Sequence, residues 1–146
     1  MALGRDRGVV IPGQLCARGG RFRNRCEQPA INACQYCGRA FCAAHCYVVR
    51  DHEAVCVNTT CRRKFDDLQE HLRYRERVSE RNRAGLCGHE GCGPHPRTQC
   101  SLCQGRFCED HLRDRLYPFR EGRVVVDRPA SVCPHCWERR KIWRRT

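Results

Sequence analysis

Two copies of one cysteine-and-histidine pattern stand out in the sequence. The first is Cys34-Gln-Tyr-Cys37-Gly-Arg-Ala-Phe-Cys42-Ala-Ala-His45, and the second is Cys100-Ser-Leu-Cys103-Gln-Gly-Arg-Phe-Cys108-Glu-Asp-His111. Both copies read C-x2-C-x4-C-x2-H, and a phenylalanine precedes the third cysteine of each. Thiolates and imidazoles at such short spacing are typical ligands of a structural metal ion. An internal repeat of this kind predicts two copies of one metal-dependent module.

Further cysteines flank each copy of the pattern. The set then comprises fourteen of the fifteen cysteines and two of the seven histidines, and only Cys46 is left over. Structural zinc takes four nitrogen or sulfur ligands, so sixteen ligands predict four zinc ions, two in each module. The ligand pairs in chain order are Cys16/Cys26, Cys34/Cys37, Cys42/His45 and Cys56/Cys61, followed by Cys87/Cys92, Cys100/Cys103, Cys108/His111 and Cys133/Cys136.

The alternative use of these cysteines is a disulfide scaffold. It would leave one thiol unpaired and would give the repeated His45 and His111 no role. The first eight residues contain no apolar signal-peptide core, and no stretch approaches the roughly 18 apolar residues of a membrane span. We therefore expect a soluble, cytoplasmic protein without membrane insertion. In that reducing compartment, cysteines at this spacing bind zinc more often than they form disulfides.

The elements that must position these ligands can be predicted from the stretches between them. The sequence predicts a hairpin in each module and a helix after the last cysteine of each, with Gly85 as the stop of the first helix. Opposite charges at i,i+3 spacing support the exposed part of that helix. The predicted strands are 47–50 and 53–56, then 116–117 and 123–127 around a turn at 120–122, and the predicted helices are 62–84 and 137–145.

The order of knuckle, hairpin and ligand-bearing helix resembles that of a treble-clef zinc fold. In that fold the knuckle and the helix-end pair share one ion, which implies that Cys34/Cys37 join Cys56/Cys61 and leaves Cys16/Cys26 for Cys42/His45. The spacing agrees, since only four residues separate Cys37 from Cys42 and two neighbouring pairs would be strained around one ion. The repeat gives the second module the same interleaved pairing, Cys100/Cys103 with Cys133/Cys136 and Cys87/Cys92 with Cys108/His111.

The predicted fold class is thus a small zinc-dependent α+β protein, with two treble-clef, cross-brace modules joined by a charged helix. The predicted domains are 1–62 for the first binuclear module, 63–86 for the helical linker and 87–146 for the second module with its basic C-terminal helix. Each module is near the size at which a hydrophobic core alone is marginal, so metal ions would supply the missing stability. A disordered charged linker is the alternative for 63–86.

Closed four-ligand sites lack the open position that activates water, so no active-site chemistry is predicted. No Gly-rich phosphate loop, G-x-S-x-G elbow or H-E-x-x-H motif occurs in the sequence. Cys46 is the one thiol available as a nucleophile, but a spare cysteine beside metal ligands is more often a packing residue. Among the remaining histidines, His52 would be a substitute ligand if Cys56 were not one.

The run C-x2-C-G-x-x-F-C from Cys34 to Cys42 resembles the middle of FYVE-type fingers, which use four interleaved cysteine pairs and bind phosphoinositide membranes. The basic run that distinguishes those fingers is replaced here by Ile31-Asn-Ala. The closing pair Cys133-Pro-His-Cys136 resembles the C-P-x-C of RING ubiquitin-ligase domains, and Arg62 after Cys61 is similar to their activating arginine. RING domains share the cross-brace and act as scaffolds that grip a ubiquitin-conjugating enzyme.

The resemblance implies a non-catalytic, RING-like adaptor or ligase that docks a conjugating enzyme or a ubiquitin-like protein. The predicted apolar contacts are Tyr36, Val48, Val49, Leu102 and Pro134. The alternative function is nucleic-acid binding. The formal charge of +12 falls to about +6 once fourteen thiolates and four zinc ions are counted. Cations mixed with aromatic residues would form the nucleic-acid surface, namely Arg18, Arg21, Arg23 and Arg25, the linker arginines and the tail from Trp137 through Arg139, Arg140 and Trp143 to Arg144 and Arg145.

Overall fold

The computed structural model describes residues 10–19, 24–93 and 95–143. The chain divides into two compact units, Met1–Asp66 (unit 1) and Asp67–Thr146 (unit 2), and each unit has its own cluster of buried residues. The boundary falls inside the 63–86 segment predicted as a linker. Within the described residues, no helix is long and apolar enough to cross a membrane.

Unit 1 is built from two small antiparallel hairpins followed by the start of a long helix. The first hairpin carries a 3-10 turn, Ala43–His45, at its end. Helix α1 begins one residue after Asn58, whose side-chain Oδ1 accepts a hydrogen bond from the backbone N–H of Thr60 and so caps the helix. The elements in order are β1 (Asn32–Ala33), β2 (Ala40–Phe41), β3 (Cys46–Arg50), β4 (Glu53–Cys56) and α1 (Thr59–Arg83).

Unit 2 repeats this order with longer elements in its second hairpin. It receives the later turns of α1 and carries its own 3-10 turn, Glu109–His111. The second helix begins at Pro134, a residue suited to the first helical position because it needs no N–H partner there. The elements are β5 (Thr98–Gln99), β6 (Arg106–Phe107), β7 (Arg113–Glu121), β8 (Val124–Val132) and α2 (Pro134–Trp143).

The predicted hairpins are confirmed in unit 1 and corrected in unit 2. Strands β3 and β4 lie within one residue of their predicted bounds, and Asp51 takes the left-handed conformation that their tight turn requires. In unit 2 the prediction of two- and five-residue strands around 120–122 was wrong. Both strands have nine residues, and the turn is limited to residues 122–123, where Gly122 has φ +62°. Cross-strand pairing extends each strand well beyond the valine run that marked it.

The helix predictions hold with shifted ends. Helix α1 begins three residues before its predicted start, because the Asn58 cap includes Thr59 and Thr60 in its first turn. Gly85 ends it as predicted, with φ +76° and a backbone hydrogen bond from Leu86 N–H to Arg81 O. The described part of α2 reaches Trp143, and the predicted extension to 145 lies outside the described residues.

One phenylalanine lies at the centre of each buried cluster. Phe41 and Phe107, the residues before the third cysteine of each repeat, are both essentially inaccessible to solvent. Around them lie cysteines of the repeated pattern and its flanking pairs, and unit 1 adds Val48 and Val55. Val48 is 3% exposed, so the interpretation of Val48 as a surface contact is wrong, because its side chain fills the core.

The second half of α1 supplies a face of the unit 2 core. Val78 is buried and Tyr74 packs against the same cluster. Two glycines make room for Val78, because a Cβ built on Gly88 or on Gly105 would lie 2.8 or 2.6 Å from its Cγ1 atom. The charged segment predicted as a spacer therefore carries packing residues on one side.

Contacts between α1 and α2 within unit 2 are polar and largely shielded. The carboxylate of Asp67 accepts hydrogen bonds from Arg139 Nε at 2.8 Å and Trp143 Nε1 at 2.6 Å. One turn further along α1, His71 Nδ1 lies 3.1 Å from His135 Nε2. Burial, together with the positive charge of Arg139, lowers the pKa of His71 to about 4, so His71 is uncharged near neutral pH, and burial lowers the pKa of His135 as well. His71 and His135 are therefore packing residues, and their rings stack with 5.3 Å between centroids.

The packing of Val78 against Gly88 and Gly105 can be tested by mutation. We expect Gly105→Ala to lower the free energy of unfolding by about 1–3 kcal/mol, because the new methyl group overpacks against Val78. Gly93→Ala is the matched control, since a Cβ there meets nothing within 4 Å. Urea denaturation of the metal-loaded protein measures the free energy of unfolding of both variants. The cost of Gly105→Ala should shrink in a Val78→Ala background, and an unchanged cost would contradict the Val78 contact.

Candidate metal centres

Cysteine and histidine side chains converge into four compact groups, two in each unit. Within each group all ligand atoms lie within 4.8 Å of one another, which is close enough for one metal ion to bind them together. In three of the groups every thiol is buried or half-buried. The remaining group has one exposed thiol, Cys37. The groups are Cys16/Cys26/Cys42/His45, Cys34/Cys37/Cys56/Cys61, Cys87/Cys92/Cys108/His111 and Cys100/Cys103/Cys133/Cys136.

The structure brings together the same sets of residues that the sequence pairs. All sixteen predicted ligands fall in these groups, and the first and third pairs of each module meet, as do the second and fourth. Cys46 and His52 lie outside the four groups. Cys46 stands opposite Cys56 in the β3–β4 ladder, and His52 is exposed in the turn.

The histidine-containing groups are held by the 3-10 turns. In unit 1 the turn directs His45 Nδ1 to within 3.4 Å of Cys42 Sγ and 3.5 Å of Cys16 Sγ. In unit 2, His111 Nδ1 lies 3.2 Å from Cys108 Sγ and 3.6 Å from Cys87 Sγ. The turn is needed because the C-x2-H spacing must return the imidazole to the side of its own cysteine.

The all-cysteine groups are held by the knuckle loops and the following helix. Each C-x2-C loop joins a pair of two-residue strands and turns through a left-handed residue, Gly38 in unit 1 and Gln104 in unit 2. The remaining two ligands come from the end of the long hairpin and from the first turn of the helix, as Cys56 and Cys61 show in unit 1. In unit 2, Cys103 Sγ and Cys133 Sγ are 3.9 Å apart.

The electrostatics of these groups favour a bound cation. Burial opposes ionisation of Cys34, but backbone N–H groups of Cys56, Cys37 and Tyr36 outweigh it and lower its pKa to about 7. Burial, followed by the neighbouring Cys34 thiol, raises the pKa of Cys56 to about 11. One ionised thiol in the group therefore disfavours ionisation of the next. A divalent cation removes this conflict, because it stabilises all the thiolates at once.

Hydrogen-bond donors around the unit 2 groups stabilise thiolate sulfur. Backbone N–H groups of Cys108 and Gly105 donate to Cys87 Sγ and Cys103 Sγ at 3.3 and 3.4 Å. The hydroxyl of Tyr74, on α1, donates to Cys133 Sγ at 3.3 Å. Donors of this kind orient metal ligands and tune their charge.

Arg81, near the end of α1, holds the loop that carries Cys87 and Cys92. Its Nε donates to Cys87 O at 2.8 Å, and its Nη2 donates to Cys92 O. Sequence reasoning did not identify Tyr74 or Arg81 as supports of a metal site. The available signal was their spacing with Val78, since positions 74, 78 and 81 lie on one helical face.

The predicted basic surface divides into several local environments. Arg139 pairs with Asp67, and the guanidinium of Arg140 lies 3.6 Å from the centroid of the Trp137 ring. On α1, Arg73 and Arg77 pair with Glu70. Arg18 and Arg25 are exposed. The predicted contributions of Arg21, Arg23, Arg144 and Arg145 lie outside the described residues.

The chain matches no protein-family model, and comparisons with curated proteins and with solved structures found no match. The metal centres therefore rest on the geometry and chemistry of this chain alone.

Metal content tests the four groups directly. We expect native mass spectrometry of the purified protein to show four divalent ions per chain, one for each group. A chelator should unfold both units, because structural zinc contributes folding free energy on the order of 10 kcal/mol in small fingers. A content of two ions or fewer would contradict the assignment of sixteen ligands.

A second prediction concerns the cysteine outside the groups. We expect Cys46→Ser to leave the metal content and the fold unchanged, because Cys46 belongs to none of the four groups. Cys42→Ser is the matched control and should weaken binding of one ion. Metal analysis and circular dichroism report both effects, and loss of an ion from the Cys46 variant would show that Cys46 is a ligand.

Proposed function

We propose that each of the four groups binds one zinc ion. For a tetrahedral ion with Zn–S of about 2.3 Å and Zn–N of about 2.0 Å, neighbouring sulfur atoms would be about 3.8 Å apart, and sulfur and nitrogen about 3.5 Å apart. The sulfur–sulfur distances of 3.7 to 3.9 Å and the sulfur–nitrogen distances of 3.2 to 3.6 Å agree with this. Three cysteines with one histidine, and four cysteines, are both ligand sets of structural zinc.

The interleaved order of the pairs supports two treble-clef, cross-brace modules. In each module the first and third pairs form one group and the second and fourth form the other. The second group joins a knuckle loop to the start of a helix, as a treble clef does. Zinc in such sites is structural, because four protein ligands leave no position for a substrate. A reducing cytoplasmic location would keep these thiols available to the metal.

We further propose that the protein is a non-catalytic, RING-like adaptor that docks a ubiquitin-conjugating-type enzyme or a ubiquitin-like protein. The observation that carries this proposal is the interleaved arrangement of ligand pairs in both modules, combined with the C-P-x-C closing pair at Cys133 to Cys136. Any ligase role would be that of a scaffold, since the zinc groups are closed by their four ligands.

The β7–β8 hairpin offers the contact surface. Leu116 and Val125 are 63% and 52% exposed, and the strand register places them on the same face with Pro118 and Pro129. The opposite face carries Tyr117 and Phe119, which pack against the core of unit 2. Pro134 is exposed as the sequence predicts, whereas Tyr36, Val49 and Leu102 are half-buried against the cores. The proposed contact therefore moves from the Val48 region to the outer face of this hairpin.

Nucleic-acid binding is the competing function. Arg139 and Arg140 make intramolecular contacts with Asp67 and Trp137, which leaves these two side chains less suited to phosphate binding. This observation favours a protein partner over RNA or DNA for the described part of the tail.

Discharge of ubiquitin from the thioester of a conjugating enzyme distinguishes the adaptor function from nucleic-acid binding. With a panel of purified ubiquitin-conjugating enzymes charged with ubiquitin, we expect the zinc-loaded protein to accelerate discharge by at least one of them. Leu116→Asp combined with Val125→Asp should reduce that acceleration at least about tenfold, as loss of an apolar anchor does at interfaces. Leu72→Asp is the matched control, because Leu72 is an exposed leucine outside the hairpin. Zinc content should stay at four in both variants.

A different set of results would support nucleic-acid binding instead. No acceleration with any enzyme of the panel, together with submicromolar RNA or DNA binding at ~0.15 M salt, would replace the adaptor with a nucleic-acid binder. Binding of that kind should weaken steeply with salt and should be unaffected by the Leu116 and Val125 substitutions.

A further inference from the structure

The two all-cysteine groups differ in the exposure of one equivalent ligand. Cys37 is exposed, whereas Cys103, its counterpart in the repeat, is 6% exposed. Both residues occupy the second cysteine position of a C-x2-C loop, so the ligand type is the same. The difference must come from what surrounds the two sulfur atoms.

In unit 2, α1 covers the region around Cys103. Val78 lies against Gly105, and a Cβ on Gly105 would lie 3.3 Å from Cys103 Sγ. The repeat places Arg39 in unit 1 where unit 2 has Gly105. Arg39 is exposed, whereas Gly105 is buried. The Cys37 loop is therefore open to solvent on a side where the Cys103 loop is covered.

A cleft in unit 1 is lined by two cysteines of the exposed group. It has a volume of about 290 Å³, and its lining includes Cys37, Cys56, Arg18 and Arg39. The Sγ atoms of Cys37 and Cys56 are 3.8 Å apart. A cleft of about 380 Å³ touches Cys103 in unit 2, but Cys103 is the one metal ligand among its described lining residues. A small molecule in the unit 1 cleft can thus meet a pair of thiolates.

We propose that Cys37 is an oxidation site, at which a hydroperoxide converts the Cys37–Cys56 pair into a disulfide and releases the metal ion of that group. This inference rests on the proposed zinc occupancy. Solvent access governs which thiolates are oxidised, so the exposed ligand reacts before the covered one.

The chemistry balances with the hydroperoxide as the only oxidant. The Cys37 thiolate attacks a peroxide oxygen, so that an S–O bond forms, the O–O bond breaks and an alkoxide or hydroxide leaves. The Cys56 thiolate then attacks the Cys37 sulfur of the sulfenic acid, an S–S bond forms and hydroxide leaves. The two sulfurs lose two electrons in total, and the peroxide gains them. Arg18 and Arg39 supply positive charge beside the cleft that stabilises the departing anions.

Disulfide formation requires the two sulfurs to approach from 3.8 Å to about 2.05 Å. Gly38, next to Cys37, allows that movement because glycine tolerates a wide range of backbone angles. Cys34 and Cys61 then remain as two ligands, too few to hold a structural ion. Because Cys61 lies in the first turn of α1 and Cys56 ends β4, oxidation would loosen unit 1 while the covered group of unit 2 keeps its ion.

The test uses the full-length, zinc-loaded protein and hydrogen peroxide. Released zinc is followed with a chromogenic chelator, and disulfides are mapped by differential alkylation and peptide mass spectrometry. We expect the first equivalent of zinc to leave together with a Cys37–Cys56 disulfide. A thiol reductant with added zinc should restore the original state.

Two matched variants assign the site. Cys37→His keeps a ligand atom that cannot form a disulfide, and it should slow release of the first equivalent at least about fivefold. Cys103→His makes the same change at the equivalent position of unit 2 and should leave that release unchanged. If Cys37→His fails to bind its ion, the disulfide map of the wild-type protein decides alone.

The opposing outcomes are distinct from failure of the proposed zinc occupancy. A first disulfide at Cys103–Cys133 or at Cys46–Cys56, or release that Cys37→His leaves unchanged, would overturn the oxidation site while zinc binding stands. A protein that purifies with no metal in the Cys37 group would overturn the zinc assignment of that group, and the release step with it.

Discussion

The fold depends on bringing four ionisable ligands to one point, four times over. Thiolates repel one another, and in the Cys34 group the ionisation of one thiol disfavours that of Cys56. A cation reverses this repulsion, so the same residues that oppose compaction without metal would promote it with metal. In units of this size the cysteines also form much of the buried surface, which leaves few purely apolar residues to act alone.

This constraint explains why the two units share a backbone plan. A knuckle needs a left-handed residue to turn, and Gly38 and Gln104 supply it at equivalent positions. A 3-10 turn returns the histidine to its cysteine, and the phenylalanine before that cysteine fills the centre of each core. Outside these elements the geometry of the candidate ligands does not constrain the lengths of the strands. The second hairpin is consequently free to differ, with strands of nine residues in unit 2 and of five and four in unit 1.

The units also differ in what covers their metal groups. Helix α1 turns Tyr74, Val78 and Arg81 toward the unit 2 groups, where they donate hydrogen bonds or fill space beside the ligands. The described residues of unit 1 leave Cys37 beside an open cleft. The two units thus offer the same types of candidate ligand but differ in how far those side chains are shielded from solvent.

The short spacings in the sequence defined the ligand pairs, because C-x2-C and C-x2-H restrict what the local backbone can do. How the pairs combine was predicted from the resemblance of their order to a treble-clef fold, and the position of the first hairpin followed from local turn and strand patterns. Other features depended on contacts between distant parts of the chain. Val48 fills a core, His71 pairs with His135 across 64 positions, and the β7–β8 ladder extends far beyond its valine run. Helix α1 is so rich in charged residues that its composition does not reveal which of its faces is buried. Only tertiary packing against Gly88 and Gly105 decided that Val78 belongs to a core, because burial is set by the neighbours that arrive and not by the residue itself.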